Sequence, residues 1–327
     1  MSRFSKILLA ALIALSLSCQ RRPLEEESHA VYIDLEIDTE ITNHQITSLP
    51  EIMQVLFFDA HSEQFVSTDF IGPEGGYVNV APGDYHILVY NFGTNTTIIR
   101  NTNTFSGVEA YTNEISSYLR ARLTGYFESL ATMTQSSNTD TEEESRAPQD
   151  KIVYDPDHLF VARRQTENIP LRINDEVKVI EMQATTIVET WLVEVRNFKG
   201  LENVSSISCL ITNQAEKSFI GLGERAESPV TIYFEVPQPS KTGVTINTQF
   251  NTFGKLRGRT SILSLVITDT AGGQYQYNYD VTDQFENNPA QKIIIDSGID
   301  IPEPSVGGGG FLPSVGEWKD VITDIIL

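Results

Sequence analysis

Val31-Tyr32-Ile33-Asp34-Leu35-Glu36-Ile37 alternates apolar and polar residues along most of its length. Successive side chains of a strand point to opposite faces, so a period of two describes a β-strand with one face buried and the other wet. The same grammar recurs outward from it. Met53 to Phe58 is a solid apolar run fit for a central strand. Tyr77-Val78-Asn79-Val80 and Tyr85-His86-Ile87-Leu88-Val89-Tyr90-Asn91 flank Ala81-Pro82-Gly83-Asp84. There proline fixes φ and glycine accepts a positive φ, so a turn is expected. Val153 to Arg163 brings the chain back as strand. A second series follows: Glu176 to Gln183, Ile187 to Asn197, Val204 to Thr212, Val230 to Val236, Ser261 to Thr268 and Gln274 to Val281. Asp269-Thr270-Ala271-Gly272-Gly273 reads as a hairpin turn between the last two. Lys292 to Ile301 and Asp320 to Leu327 close the chain.

Many short strands at intervals near ten residues, without a βαβ rhythm, predict an all-β protein of β-sandwiches. Ile115 to Leu130 is the one candidate helix or irregular insert in the first half. Residues 134–150, rich in Ser, Thr, Asn and Glu, have nothing to bury and read as a mobile loop. The pattern restarts near residues 165–175. The expected organisation is therefore a first sandwich over 30–170 and a second over 171–327.

Ahead of the strands stands a different kind of segment. Arg3 and Lys6 form a basic start, Ile7 to Leu17 an apolar run, and Ser18 precedes Cys19. A stable membrane span needs about twenty apolar residues, so this run is too short and has instead the form of a secretory signal. A Cys where the apolar run stops resembles the lipobox of bacterial lipoproteins, although Ser16 stands where Leu is usual. The expectation is a signal peptide over 1–18, lipidation at Cys19, and a polar tether over 19–29. Loss of residues 1–18 removes Arg3 and Lys6 and takes the formal charge from −21 to −23. Such a surface repels phosphate backbones and anionic headgroups, which excludes nucleic acid as a partner and leaves the Cys19 lipid as the contact with the bilayer.

No catalytic or cofactor pattern emerges. Cys209, the one other cysteine, sits in the strand-like run Ser206 to Ile211 with no His or basic residue beside it in sequence, and reads as core, not as a nucleophile. The five histidines show no metal-ligand spacing. His158, in Asp155-Pro156-Asp157-His158, could serve in metal or acid–base work, but a hydrogen-bonded turn is the favoured reading. Neither a catalytic set, nor a cofactor site, nor a metal site is assigned, and the protein is read as a non-enzyme. Tyr275, Tyr277 and Tyr279 share one strand face, where they either stack on sugars or pack across strands, the latter preferred. Trp191 reads as core.

Three stretches together carry a resemblance: the start with Arg22-Pro23-Leu24, the segment Pro156-Asp157-His158-Leu159-Phe160-Val161, and Gly307 to Gly310 followed by Phe311 and Val315-Gly316-Glu317-Trp318-Lys319-Asp320-Val321. The chain resembles a Bacteroidota lipoprotein family known as domain of unknown function 5119, itself similar to fimbrillin-associated anchor and minor subunits of type V pili. The resemblance implies two tandem transthyretin-like β-sandwiches, residence at the outer membrane on a lipid anchor, and fimbrial subunits as partners joined by β-strand addition. Stalk subunits of that kind lose an N-terminal segment to a protease, whereas anchors keep it. Here no Arg or Lys occurs between Arg22 and Arg100, which favours the anchor or accessory role. The alternative is a surface lipoprotein that binds glycans. The apolar stretch Val321 to Leu327 is either the last strand of its own domain or a donated strand. Which leaflet the protein faces stays open.

Overall fold

The computed structural model describes residues 29–123, 151–171, 177–237, 244–286 and 288–304. Cys19, the loop over 134–150 and the closing stretch from Gly307 lie outside them.

The first ten strands are β1 (His29–Ile37), β2 (Met53–Asp59), β3 (Phe65–Ile71), β4 (Gly75–Val80), β5 (Gly83–Asn91), β6 (Thr97–Arg100), β7 (Glu109–Thr112), β8 (Ile152–Tyr154), β9 (Phe160–Ile169) and β10 (Lys178–Thr186). Seven of them form one sheet in the order β3-β2-β5-β9-β10-β1-β4. It folds over where β9 meets β10, since only Val161–Thr185 and Phe160–Thr186 pair there. Two layers result, β3-β2-β5-β9 and β10-β1-β4. Val31, Ile33 and Leu35 of β1 point between the layers and are 1%, 0% and 5% exposed, as the alternation requires. They meet Met53, Val55, Phe57, Ile87 and Val89. On the far side of the sandwich β3 turns directly into β4. A β-carbon on Gly75, whose φ is +109°, would stand 2.0 Å from the Ile33 carbonyl oxygen, so only glycine fits this crossover.

The second half contributes β11 (Glu189–Arg196), β12 (Val204–Ala215), β13 (Lys217–Phe219), β14 (Glu224–Arg225), β15 (Pro229–Glu235), β16 (Ile246–Thr252), β17 (Ile262–Asp269), β18 (Gln274–Asp280) and β19 (Lys292–Asp296). A five-stranded sheet, β18-β17-β12-β15-β8, faces a three-stranded one, β16-β11-β19. Trp191, Cys209, Phe250, Leu265 and Ile293 fill the space between them. The outer face of the larger sheet is covered too: Ile115 and Leu123, around the helical residues 117–123, pack on Leu210, Tyr233 and Val266. The chain is all-β, built from two sandwiches, as expected.

Strand pairing crosses the expected boundary at 170/171 in both directions. β10 lies beyond it but pairs in parallel with β1 over Val31–Ile37. Conversely β8 pairs with β15, and β6 and β7 join β13 and β14 in a small four-stranded sheet. Alternation reports which face of a strand is buried and carries no information about its partner, so a crossing of this kind is invisible to it. β3, β6, β7, β13, β14 and β16 also lacked a clear signal. In β16 the inward positions 248 and 252 are threonine, which breaks the apolar period although the burial alternates.

Candidate functional site

The candidate site is built where the two sandwiches meet. Within the layer β3-β2-β5-β9, the inner strands β2 and β5 are largely buried on both faces. The outer face of the layer presents Leu56, Phe58, Leu88, Tyr90 and Val161 to Phe105, Val108, Ile220, Phe253 and Leu256 of the small sheet and the second half. This explains why Met53 to Phe58 reads as a solid apolar run and not as an alternating one.

Asp155-Pro156-Asp157-His158 ties this junction together. One Asp157 carboxylate oxygen accepts hydrogen bonds from the backbone N–H of Asn95 at 2.6 Å and of Thr96 at 2.5 Å. The Pro156 carbonyl accepts from the Asn251 side chain at 2.9 Å. His158 has Nδ1 3.0 Å from the Thr186 hydroxyl and Nε2 2.9 Å from that of Thr190, so it bridges the end of β10 to the start of β11. Its ring lies 4.0 Å from that of His44. Burial above all, with His44 alongside, lowers its pKa to about 4, against the pull of Asp157. Burial pushes Asp155 the other way, to about 6, although the Asn251 amide donates to it. The sequence reading favoured a local turn here. The segment is hydrogen-bonded, but to residues roughly 30 to 95 positions away.

A second polar knot centres on Glu109, whose side chain is 1% exposed beside Arg100 and Lys217. Burial raises its pKa, and hydrogen bonds from Lys217 and Arg100 outweigh that and hold it low. These groups satisfy one another and fasten β6, β7 and β13, which is a structural arrangement. Among the described residues no three His, Cys, Asp or Glu side chains are placed to hold a metal ion. Cys209 is wholly buried and burial pushes its thiol up, which makes it an inert core residue. Tyr279 is 4% exposed, and Tyr275 and Tyr277 pack against the same core, so the tyrosine stripe is cross-strand packing.

What the surface offers a partner is apolar. On the outer face of β3-β2-β5-β9, past the part that the second half covers, Ile52, Phe70 and Phe92 are 44%, 50% and 56% exposed. The Phe70 and Phe92 rings meet edge to face at 5.5 Å. Leu49 joins Ile52 and Phe92 in lining an adjacent groove of about 650 Å³ whose wall is otherwise largely polar, with His44, Ser48, Asn95 and His158. Sequence reading missed this cluster, because an exposed phenylalanine looks like any core residue until its neighbours are placed. A smaller patch, Tyr32, Tyr77 and Val179, lies across β10-β1-β4 on the other outer face. No helix among the described residues is long and apolar enough to cross a membrane.

Comparison with known proteins agrees with this architecture. The chain is 24% identical over 347 aligned positions to a protein of Bacteroides ovatus provisionally named fimbrium anchoring subunit Fim4B, covering 95% of this chain and 94% of that one. It superimposes on a Bacteroides ovatus crystal structure, provisionally described as an adhesin, with a TM-score of 0.56 and 21% identity over 85% of this chain and 94% of the other. Residues 18–235 match the family described as domain of unknown function DUF5119, and the chain belongs to that family.

Proposed function

We propose that this protein is a fimbrial anchor or accessory subunit, held at the outer membrane by a lipid on Cys19 and joined to a protein partner by β-strand addition. The observation that carries the reading is the end-to-end similarity to the Bacteroides ovatus protein named for anchoring a fimbrium. The place of β1 supports it. That strand lies between β10 and β4 with its apolar face in the core, so the groove its loss would open is filled by the chain itself. No Arg or Lys between Arg22 and Arg100 offers a trypsin-like protease a site to remove it. A self-completed subunit suits the membrane end of a fibre, where one neighbour is needed and not two. Its role is structural and not enzymatic. The glycan-binding alternative draws on the Tyr32–Tyr77 ring pair, 5.0 Å apart, of which Tyr77 is exposed.

Fractionation of cells making Cys19→Ala tests the anchor. The variant is expected to leave the membrane fraction, folded, and to release the fimbriae joined to it. Retention of Cys19→Ala in the membrane fraction sinks the lipid reading, and a wild-type protein that never co-isolates with fimbrial subunits sinks the fimbrial one.

A further inference from the structure

We infer that the exposed cluster of Leu49, Ile52, Phe70 and Phe92 is a second docking surface, one that packs against an apolar loop or strand end of a neighbouring β-sandwich subunit. The inference rests on the fimbrial reading above and concerns a face, separate from any strand addition. Three observations point to the occupant.

The first is continuity. Strand parity puts Phe70 on the same face of β3-β2-β5-β9 as Leu56, Phe58, Leu88 and Tyr90, since Phe70 pairs with Gln54, two residues from Leu56. Phe92 follows Tyr90 by two residues, and its N–H donates to the Ile52 carbonyl at 3.0 Å, so the ladder continues into the patch. One half of this face is covered within the chain by apolar loop residues of a β-sandwich, Phe105, Phe253 and Leu256 among them. The other half presents the same chemistry and has no cover among the described residues. The occupant that matches is therefore another sandwich domain offering the same kind of loop.

The second is the chemistry of the four side chains. The cluster is two phenylalanines, a leucine and an isoleucine, none of which donates or accepts a side-chain hydrogen bond. The polar groups next to Phe70 on this face are engaged with one another: the Tyr90 hydroxyl donates to Gln54 Oε1 at 2.9 Å, and Gln54 Nε2 donates to the Thr68 hydroxyl at 3.2 Å.

The third is charge. In a chain of formal charge −21 no Lys or Arg among the described residues lines the groove. Asp157 in its wall is taken by backbone amides, which leaves Glu51 to face an occupant. An apolar segment without acidic residues fits this wall. Contiguous apolar patches on soluble proteins commonly mark such contacts.

Site-specific photo-crosslinking in fimbriated cells tests the proposal, with p-benzoylphenylalanine replacing Phe92 in the full-length chain and, as a control on the opposite outer face, Tyr77. Adducts at position 92 that carry peptides of a fimbrial β-sandwich subunit, at least fivefold above position 77, are expected. Adducts to the same subunit from position 77 but not from 92 overturn the docking surface and leave the fimbrial reading standing. No fimbrial adduct at either position, in cells where none co-isolates with the wild type, overturns both. Sugar-bearing adducts or a crosslinked second copy of this chain at position 92 also overturn it. Phe70→Ser/Phe92→Ser, verified to melt like the wild type, is expected to lower the recovered fimbrial subunit at least tenfold. Unchanged recovery overturns the proposal.

Discussion

The two sandwiches close their sheets by different means, and the difference separates what each can offer a partner. The first closes with main chain at one corner and with a tight turn and one side chain at the other. β9 pairs with β10 at one corner, and β3 runs into β4 at the other, where Asp69 accepts from the Asn79 amide at 3.4 Å. β3 and β4 nonetheless each pair on one side alone and stand as the two edges of this sheet. The second consists of two separate sheets and caps its edges piecemeal. β8 is bordered by residues 113–115, with Tyr154 N–H donating to the Asn113 carbonyl at 3.1 Å. β19 is closed by one side chain: Gln284 Oε1 accepts from the Ile294 amide at 2.7 Å while its Nε2 donates to the Ile294 carbonyl at 3.1 Å. A primary amide placed this way imitates a neighbouring strand. Under the strand-addition proposal, both sandwiches hold edges that could accept a partner's strand, those of the second being the ones capped by side chains and short segments, while the exposed apolar face belongs to the first.

Deleting His29–Ile37 tests the first half of this comparison and carries the largest expected effect. Burial of each large aliphatic side chain is worth about 1.5–3 kcal/mol. Loss of Val31, Ile33 and Leu35 with their two ladders then approaches the whole stability of a domain, about 5–15 kcal/mol. Hydrogen exchange should show β2 and β5 losing protection while β12 and β17 keep theirs. Protection unchanged in β2 and β5 would mean that β1 is dispensable and that the first sandwich closes without it.

A smaller change tests the second half. Gln284→Ala removes two hydrogen bonds and bares the Ile294 backbone groups, at a cost of about 1–2 kcal/mol. It also opens an edge, and open edges recruit other strands. The expected result is a lowered midpoint in denaturant together with concentration-dependent self-association in sedimentation. A variant that is destabilised yet strictly monomeric would show that Gln284 staples the helical turn Thr282–Phe285 and does not guard an edge.

This contrast between corners and caps was only partly open to reading from sequence. The alternation in Val31–Ile37 and the solid run Met53–Phe58 report burial on one face and on two, and both came out as expected. Trp191, Cys209 and the tyrosine stripe were legible for the same reason. Pairing was not. The parallel match of β1 with β10 joins residues some 150 positions apart, and nothing in either strand names the other. Gln284 and Phe92 were illegible in another way: a glutamine in a short turn and a phenylalanine beside Gly93 acquire their roles only from neighbours supplied by distant segments. The Asp155–His158 stretch stood out as unusual, yet its partners at Asn95, Thr186, Thr190 and Asn251 could not be foreseen.

That stretch links the two sandwiches and makes the smallest prediction, a pH dependence hidden by cancellation. Asp155 titrates at about 6 in the folded protein against an ordinary 3.8, so the folded state holds its proton more tightly. Its contribution to stability is full below about pH 4 and is lost as pH rises through 6. His158 titrates at about 4 against an ordinary 6.5, so the folded state keeps the ring neutral. Its contribution is full above pH 6.5 and is lost as pH falls towards 4. Each shift amounts to about 1–2 kcal/mol after allowance for the partial exposure of both groups. Over the same interval they oppose each other, and the wild type should change by less than about 1 kcal/mol between pH 4 and 6.5. Asp155→Asn should leave a stability that climbs with pH across that range, and His158→Gln one that falls. Denaturation midpoints of the three proteins at pH 4, 5 and 6.5 decide the matter. Two variants with parallel profiles would show that the junction does not sense pH through these groups, and that the sandwiches are joined by their apolar contact alone.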